Sequence, residues 1–206
     1  MSSIVDCQLF PCVTYIKILS RHTHIKIEKY ENFQKMSFRN RYIVSGANSA
    51  ITLSIPIVGG REQKTLITEV RINNATNWQL NHWRTLLSAY SKAPFFEFYS
   101  QDIKALIFSG EDFLFSLNIK ILTWLCNALK INAVIEFTDQ FIAHYENDLD
   151  YRNHFLPKSF QENTINWLPK YPQVFEDRLG FQPNLSILDL MFCQGPNSIH
   201  LLNQSR

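Results

Sequence analysis

The chain has 206 residues, 46% hydrophobic and 18% charged, enough to bury a core as one domain over 1–206 without disulfides or a metal. A net charge of +2 argues against nucleic acid and gives no polybasic signal for an anionic membrane. Sixteen phenylalanines point to an aromatic core or to a pocket walled with flat apolar faces.

The opening MSSIVDCQLFPCVTYIKIL lacks a basic first segment and is interrupted by Asp6, so it reads as structure and not as a leader. Ile4–Phe10 is expected to be a buried strand ended by Pro11. Residues 12–21 place Val13, Ile16 and Leu19 at helical spacing. His24–Glu28 alternates and reads as a second strand, so the chain begins with a βαβ unit. Asn32–Arg41 is polar and aromatic without a period and reads as a loop or short irregular helix. Two runs, 41–45 and 50–56, flank Gly46–Ser49 and predict a hairpin. A polar turn over 59–64 and an alternating strand over Leu66–Ile72 follow.

After Asn77, Trp78, Leu80, Trp83, Leu86, Leu87 and Tyr90 form a helical stripe that stops before Pro94. Helices are expected at 101–109 and 111–130; the apolar stretch within the second, around 113–129, is interrupted by Lys120 and too short to span a bilayer. Asn132–Phe137 reads as a strand, and residues 146–172 as a long irregular segment of the kind that forms active-site lids or stays disordered. Ser186–Phe192 is a helix with Gly195-Pro196 as its stop. The resulting fold class is α/β: a mixed sheet with an N-terminal βαβ unit, an inserted β-hairpin and a helical layer from the middle of the chain. Cys7, Cys12, Cys126 and Cys193 form no C-x-x-C pair, and His22 and His24 lack zinc spacing. Free thiols in the cytoplasm, no metal and no membrane insertion are the expectations.

Six strings in order are more particular than composition allows: FPCVTYIKIL at 10–19, FRNRYIV at 38–44, NWQLNHWRTLLSAY at 77–90, APFFEFY at 93–99, YPQVF at 171–175 and GFQPNLSILDLMFCQGPN at 180–197. Together they resemble the WbqC-like family over essentially the whole chain. The family's association with bacterial O-antigen polysaccharide genes implies work on sugar nucleotides, or on an acyl or aminoacyl group added to an amino sugar. The resemblance implies no particular cofactor or catalytic residue. Larger relatives carry a later motif similar to Tyr-Leu-Ser-Gly, which is missing here; the stretch around 133–160 stands in that region.

Arg39, Asn40 and Arg41 offer two planar guanidiniums around an amide, suited to a phosphate or carboxylate; a turn cap flanked by surface arginines is the plainer reading. His82 is the candidate acid–base group, because its ordinary pKa lies near neutrality, although lone helix histidines are more often structural. Arg84 beside it could border the same cleft. Glu97, among four rings, is the second acid–base candidate: if buried its pKa would rise and it would need an arginine partner such as Arg84 or Arg39, a pattern shared by catalytic acids and structural salt bridges. Asp6 and Glu28 lie on adjacent expected strands, and Asp150 and Arg152 on the irregular loop; polar residues at strand ends of an α/β sheet line the binding crevice, although an exposed edge carboxylate would look identical. Of these, Glu28 is the binding candidate. Gln173 joins the binding set from the tail, where Asn184, Ser186 and Asp189 read as helix caps. The preferred function is a small-molecule transferase of acyl, aminoacyl or nucleotide-linked amino sugar chemistry, with a sugar nucleotide among its substrates. The alternative is a non-catalytic binding or accessory protein of the same pathway. The transferase reading depends on the charged candidates meeting around a single aromatic-walled hollow.

Overall fold

A computed structural model describes residues 2–59, 64–159 and 168–204. Gly60 to Gln63 of the expected polar turn, and residues 160–167 of the irregular segment, lie outside the described residues. The chain opens with β1 (Ser3–Val5), α1 (Val13–Arg21) and β2 (His24–Ile27), with β1 and β2 parallel and Ile4 opposite Lys26. Later come β5 (Val134–Phe137), which adds to β2, and β6 (Leu149–Asp150), which adds to β1. The sheet order is β5-β2-β1-β6, parallel throughout. Every residue of β1 is buried, as a central strand covered on both faces demands.

The hairpin forms as the Gly46–Ser49 signal predicts: β3 (Arg41–Val44) and β4 (Ile51–Ser54) pair antiparallel with Tyr42 opposite Leu53, in a ladder separate from the parallel sheet. The helical layer comprises α2 (Trp78–Tyr90), α3 (Phe96–Ile107) and α4 (Leu114–Ala128). The tail adds α5 (Glu176–Leu179), α6 (Ile187–Gln194) and α7 (Ser198–Gln204). The α4 stripe Leu114, Leu117, Ile121, Leu122 and Leu125 is buried and joins one continuous core. Rings fill much of it; Tyr90 and Phe96 each sit 5.0 Å from Phe192, centroid to centroid.

Several elements differ from the sequence pattern, each for a local reason. β1 ends at Val5 because Asp6 and Gln8 turn into a buried polar cluster. The alternating run Leu66–Ile72 is not a strand. It forms a 3-10 turn over Ile67–Glu69 flanked by single bridges to Asn32, Ile57 and Phe113, so its inward residues are anchored one at a time. The third helix begins at Phe96, because the APFFEFY string starts a helical turn with Phe95 N–H donating to the Phe192 carbonyl. Gly195-Pro196 ends α6 but not the chain's helical structure, which resumes as α7.

The tail also fixes the start of α1. Asn184, in the left-handed region at φ 57°, accepts from the Thr14 backbone N–H (2.9 Å) and hydroxyl (2.6 Å). It thereby satisfies a helix N-terminal donor that Cys12 leaves open.

Candidate functional site

Because the four strands of the sheet are parallel, their carboxyl ends share one edge, where open α/β sheets bind ligands. Asp6 follows β1, Glu28 follows β2, Thr138 follows β5, and Asp150 closes β6 with Arg152 just beyond. A cleft of about 700 Å³ opens beside this edge, lined among others by Glu31, Lys35, Phe141, His144, Asp150 and Arg152.

Beneath the cleft, two guanidiniums organise the charges. Arg39, fully buried, donates from Nε to Glu31 Oε1 (2.7 Å) and from Nη2 to Glu31 Oε2 (2.5 Å) and Asn153 Oδ1 (2.9 Å). Its Nη1 lies 3.5 Å from Asp6 Oδ2 and has no hydrogen-bond partner. The Arg39 backbone is fixed separately, since Asn118 on α4 donates to its carbonyl at 2.8 Å. Arg152 reaches Glu28 (3.0 Å) and Asp150 (2.6 Å), and donates to the Ile142 carbonyl (2.8 Å). The rings of Phe141 and Tyr145 lie 5.1 and 5.0 Å from its guanidinium carbon. Arg152 thus ties the segment between β5 and β6 down over the strand ends. Glu28 is further held by the Thr138 hydroxyl and the Tyr30 backbone N–H, both at 2.8 Å.

The electrostatics single out Glu31. Burial pushes its carboxyl up to about 7; the hydrogen bonds and charge of Arg39 oppose this, while Asp6 and Glu28 reinforce it. At 4% exposure on the cleft wall, it can exchange a proton near neutral pH. Partial burial pushes Asp150 up as well, but the bonds and charge of Arg152 outweigh it and hold that carboxyl below its ordinary value. Thiolate chemistry has no such support: burial pushes Cys126 up to about 11 and Cys12 and Cys193 up to about 12. Among the described residues, no group of three His, Cys, Asp or Glu side chains is placed to hold a metal ion. Nor is any described helix long and apolar enough to cross a membrane.

The structure brings only part of the sequence constellation together. Glu28 and Arg39 meet at the strand ends, with Asp6, Asp150 and Arg152 beside them. Arg39 is spent on Glu31 and does not form an anion clamp with Arg41, whose half-buried side chain lies 3.4 Å from the Met36 sulfur. Arg39 is accordingly not a surface arginine: it is buried together with Phe33, Phe38 and Tyr42. Asn40 is buried and donates to the Ile55 carbonyl at 2.9 Å, bracing the hairpin.

His82 lies in the core between the Tyr42 and Trp78 rings, away from the cleft lining. Its Nε2–H donates to the Ser54 carbonyl (3.2 Å), which leaves Nδ1 to accept from the Tyr42 hydroxyl (3.3 Å). Burial pulls its pKa down to about 4, so the ring is neutral at physiological pH. Arg84 and Glu97 are exposed, on α2 and α3 respectively, and neither belongs to the cleft lining. Gln173 is buried in the tail, donating to Asp189 (2.8 Å) and the Gln182 carbonyl (2.9 Å). The single hollow is therefore replaced by a strand-end cluster and several separate braces.

Glu31, central to the geometry, carries no sequence signal of its own. It stands three residues beyond Glu28 in a stretch without hydrophobic period, and only the fold turns its side chain back onto Arg39. Its spacing from Arg39 is the one clue, a carboxylate and a guanidinium eight residues apart in one loop.

Neither a curated relative nor a solved structure matches the chain. The family model described as the WbqC-like protein family matches residues 7–153 and 143–201, which include the strand-end residues Glu28, Glu31, Arg39, Asp150 and Arg152. On that extent of agreement, the chain belongs to the WbqC-like family.

Proposed function

We propose that the chain is a small-molecule transferase in which Glu31 accepts a proton from the acceptor substrate. The acceptor, an amine or hydroxyl, attacks the electrophilic carbon of an activated acyl or nucleotide-linked amino sugar donor. A new C–N or C–O bond forms, the bond to the leaving group breaks with its electron pair departing on that group, and the acceptor's proton passes to the Glu31 carboxylate. The observation that carries this reading is a carboxyl on the wall of a polar cleft, at the carboxyl edge of a parallel sheet, held near a pKa of 7. Glu31 thereby takes the acid–base part for which His82 and Glu97 are the sequence candidates. The family's polysaccharide association supports a role in bacterial surface polysaccharide synthesis, and four free, buried thiols support a cytoplasmic setting.

One observation favours an accessory, non-catalytic binder instead: Arg39 and Arg152 are both engaged by the protein's own carboxylates. Glu31→Gln separates the two. Thermal shift with UDP-linked amino sugars and acetyl-CoA measures binding, and product formation from the ligand that binds measures turnover. Turnover lower by about 10²–10⁴-fold with binding retained fits the transferase. Equal turnover in both forms sinks it, and binding without turnover in either favours the accessory role.

A further inference from the structure

We infer that the Arg39 guanidinium shifts between Glu31 and Asp6 as Glu31 gains and loses its proton, which makes Asp6 and Arg39 positioning residues for the proton cycle of the cleft. The inference rests on the reading of Glu31 as the acid–base group.

Arg39 is bound unevenly. Its Nε and Nη2 hold Glu31 at 2.7 and 2.5 Å, yet Nη1, with no exposure to solvent, has no hydrogen-bond partner. The nearest anion to Nη1 is Asp6, at 3.5 Å, too far for a well-formed hydrogen bond. Asp6 is itself loosely held: Gln8 Nε2 and the Asn153 backbone N–H each reach it at 3.2 Å. A buried donor without an acceptor therefore faces a buried carboxylate with weak donors. A side-chain shift of about 0.6 Å would bring the pair to the ordinary length of about 2.9 Å. The Asn118 bond holds the Arg39 backbone at its carbonyl, so the exchange needs movement of the side chain alone, away from Glu31 and Asn153 and toward Asp6.

The charges favour this exchange. Breaking a buried pair by removing one charge is costly, because the other is left uncompensated. With Glu31 ionised, Arg39 balances it; with Glu31 neutral, the same cation is drawn to Asp6, the remaining anion in reach. The other charged or titratable groups around Glu31 do not compete for Arg39 in the same way. Glu28 and Asp150 are paired with Arg152, the Cys7 thiol is raised by burial and stays neutral, and Lys35 and His144 stand on the cleft wall. Asn153, in the left-handed region at φ 57°, touches both partners, through its backbone N–H to Asp6 and its amide oxygen to Arg39.

Carboxyl ¹³C and arginine ¹⁵N NMR titration of the full chain tests the exchange. As Glu31 titrates near pH 7, the Asp6 carboxyl carbon and Arg39 Nε should inflect at the Glu31 midpoint. In Asp6→Asn, Arg39 keeps Glu31 as its sole anionic partner, so that midpoint should fall by about one pH unit, a tenfold drop in proton affinity, and the acidic limb of any pH–rate profile should move with it. Asp6 and Arg39 resonances that stay flat through the Glu31 midpoint overturn the inference. The wild-type titration decides this even if the variant does not fold. An active Glu31→Gln with coupled resonances would sink the catalytic reading alone, whereas flat resonances with an inactive Glu31→Gln would sink only the exchange.

Discussion

Two carboxylate clusters among the described residues are built on opposite principles. At the strand ends, Asp6, Glu28, Glu31 and Asp150 share the guanidiniums of Arg39 and Arg152 beside an open cleft. In the tail, Asp189 sits on α6 with no cation beside it among the described residues: Tyr90, Tyr171 and Gln173 each donate to it at 2.8 Å, and Tyr90 in turn accepts from the Ser45 backbone N–H at 2.9 Å. Burial raises Asp189 as it raises Glu31, and pushes both tyrosines well above their ordinary range. A raised carboxyl pKa is thus no mark of function by itself. Contact with the cleft, and more carboxylates than cations to balance them, distinguish the strand-end site; Asp189 is enclosed and fully bonded, a clasp that pins the tail to α2 and the hairpin.

The largest effect that would sharpen this contrast comes from Arg39→Met. Both Glu31 and Asp6 would lose their cation inside the fold, at a cost of about 3–5 kcal/mol in denaturant unfolding. Adding Glu31→Gln should recover part of that loss, because one of the two orphaned anions is then gone. A cost below about 1 kcal/mol would mean that the cluster is wetter than its burial suggests, and would weaken the case for a pKa near 7.

Asp189→Asn should do less. The amide keeps one oxygen for a tyrosine, and the other hydroxyl can rotate to accept from the new N–H, so the loss is about 1–2 kcal/mol of charge-assisted bonding. Ligand binding in the cleft and the Glu31 titration should stay as in the wild type. A change in either would show that the tail clasp is coupled to the cleft.

The contrast also separates what was legible in the residues from what was not. The βαβ opening was readable because Ile25 and Ile27 alternate and Val13, Ile16 and Leu19 recur at helical spacing. β6 was not readable: its two residues sit in a polar, irregular stretch, and its identity as a strand comes only from pairing with β1, about 146 positions away. Leu66–Ile72 shows the reverse error, an alternation that tertiary anchoring converts to single bridges. For the site, the rule of polar residues at strand ends points to Glu28, whereas Asp150 and Arg152 read as parts of an irregular loop and only pairing with β1 brings them to the same edge. The rule did not reach Glu31, because nothing local says that the loop after β2 folds back onto Arg39. His82, attractive for its ordinary pKa, donates to the Ser54 carbonyl and accepts from the Tyr42 hydroxyl in the core, and the apolar stripe of its helix does not include it, so its burial is set by the hairpin packed against α2.

The smallest effect tests the seam between the cluster and the cleft wall. Asn153 holds a left-handed backbone that glycine adopts without cost, so Asn153→Gly relieves up to about 1 kcal/mol of strain. It also removes the amide oxygen from Arg39 Nη2, a bond to a charged group worth about 1.5–3 kcal/mol. The backbone N–H to Asp6 remains in either residue, so the net change in unfolding free energy should be a loss of about 1 kcal/mol. Stability is therefore a poor reporter here, and the proton affinity of Glu31 a better one. Freed from Asn153, Nη2 commits fully to Glu31, and the carboxyl midpoint should fall slightly below that of the wild type. A rise would mean that Asn153 had been holding Arg39 against Glu31, and that the third partner of the guanidinium supports the pair instead of competing with it.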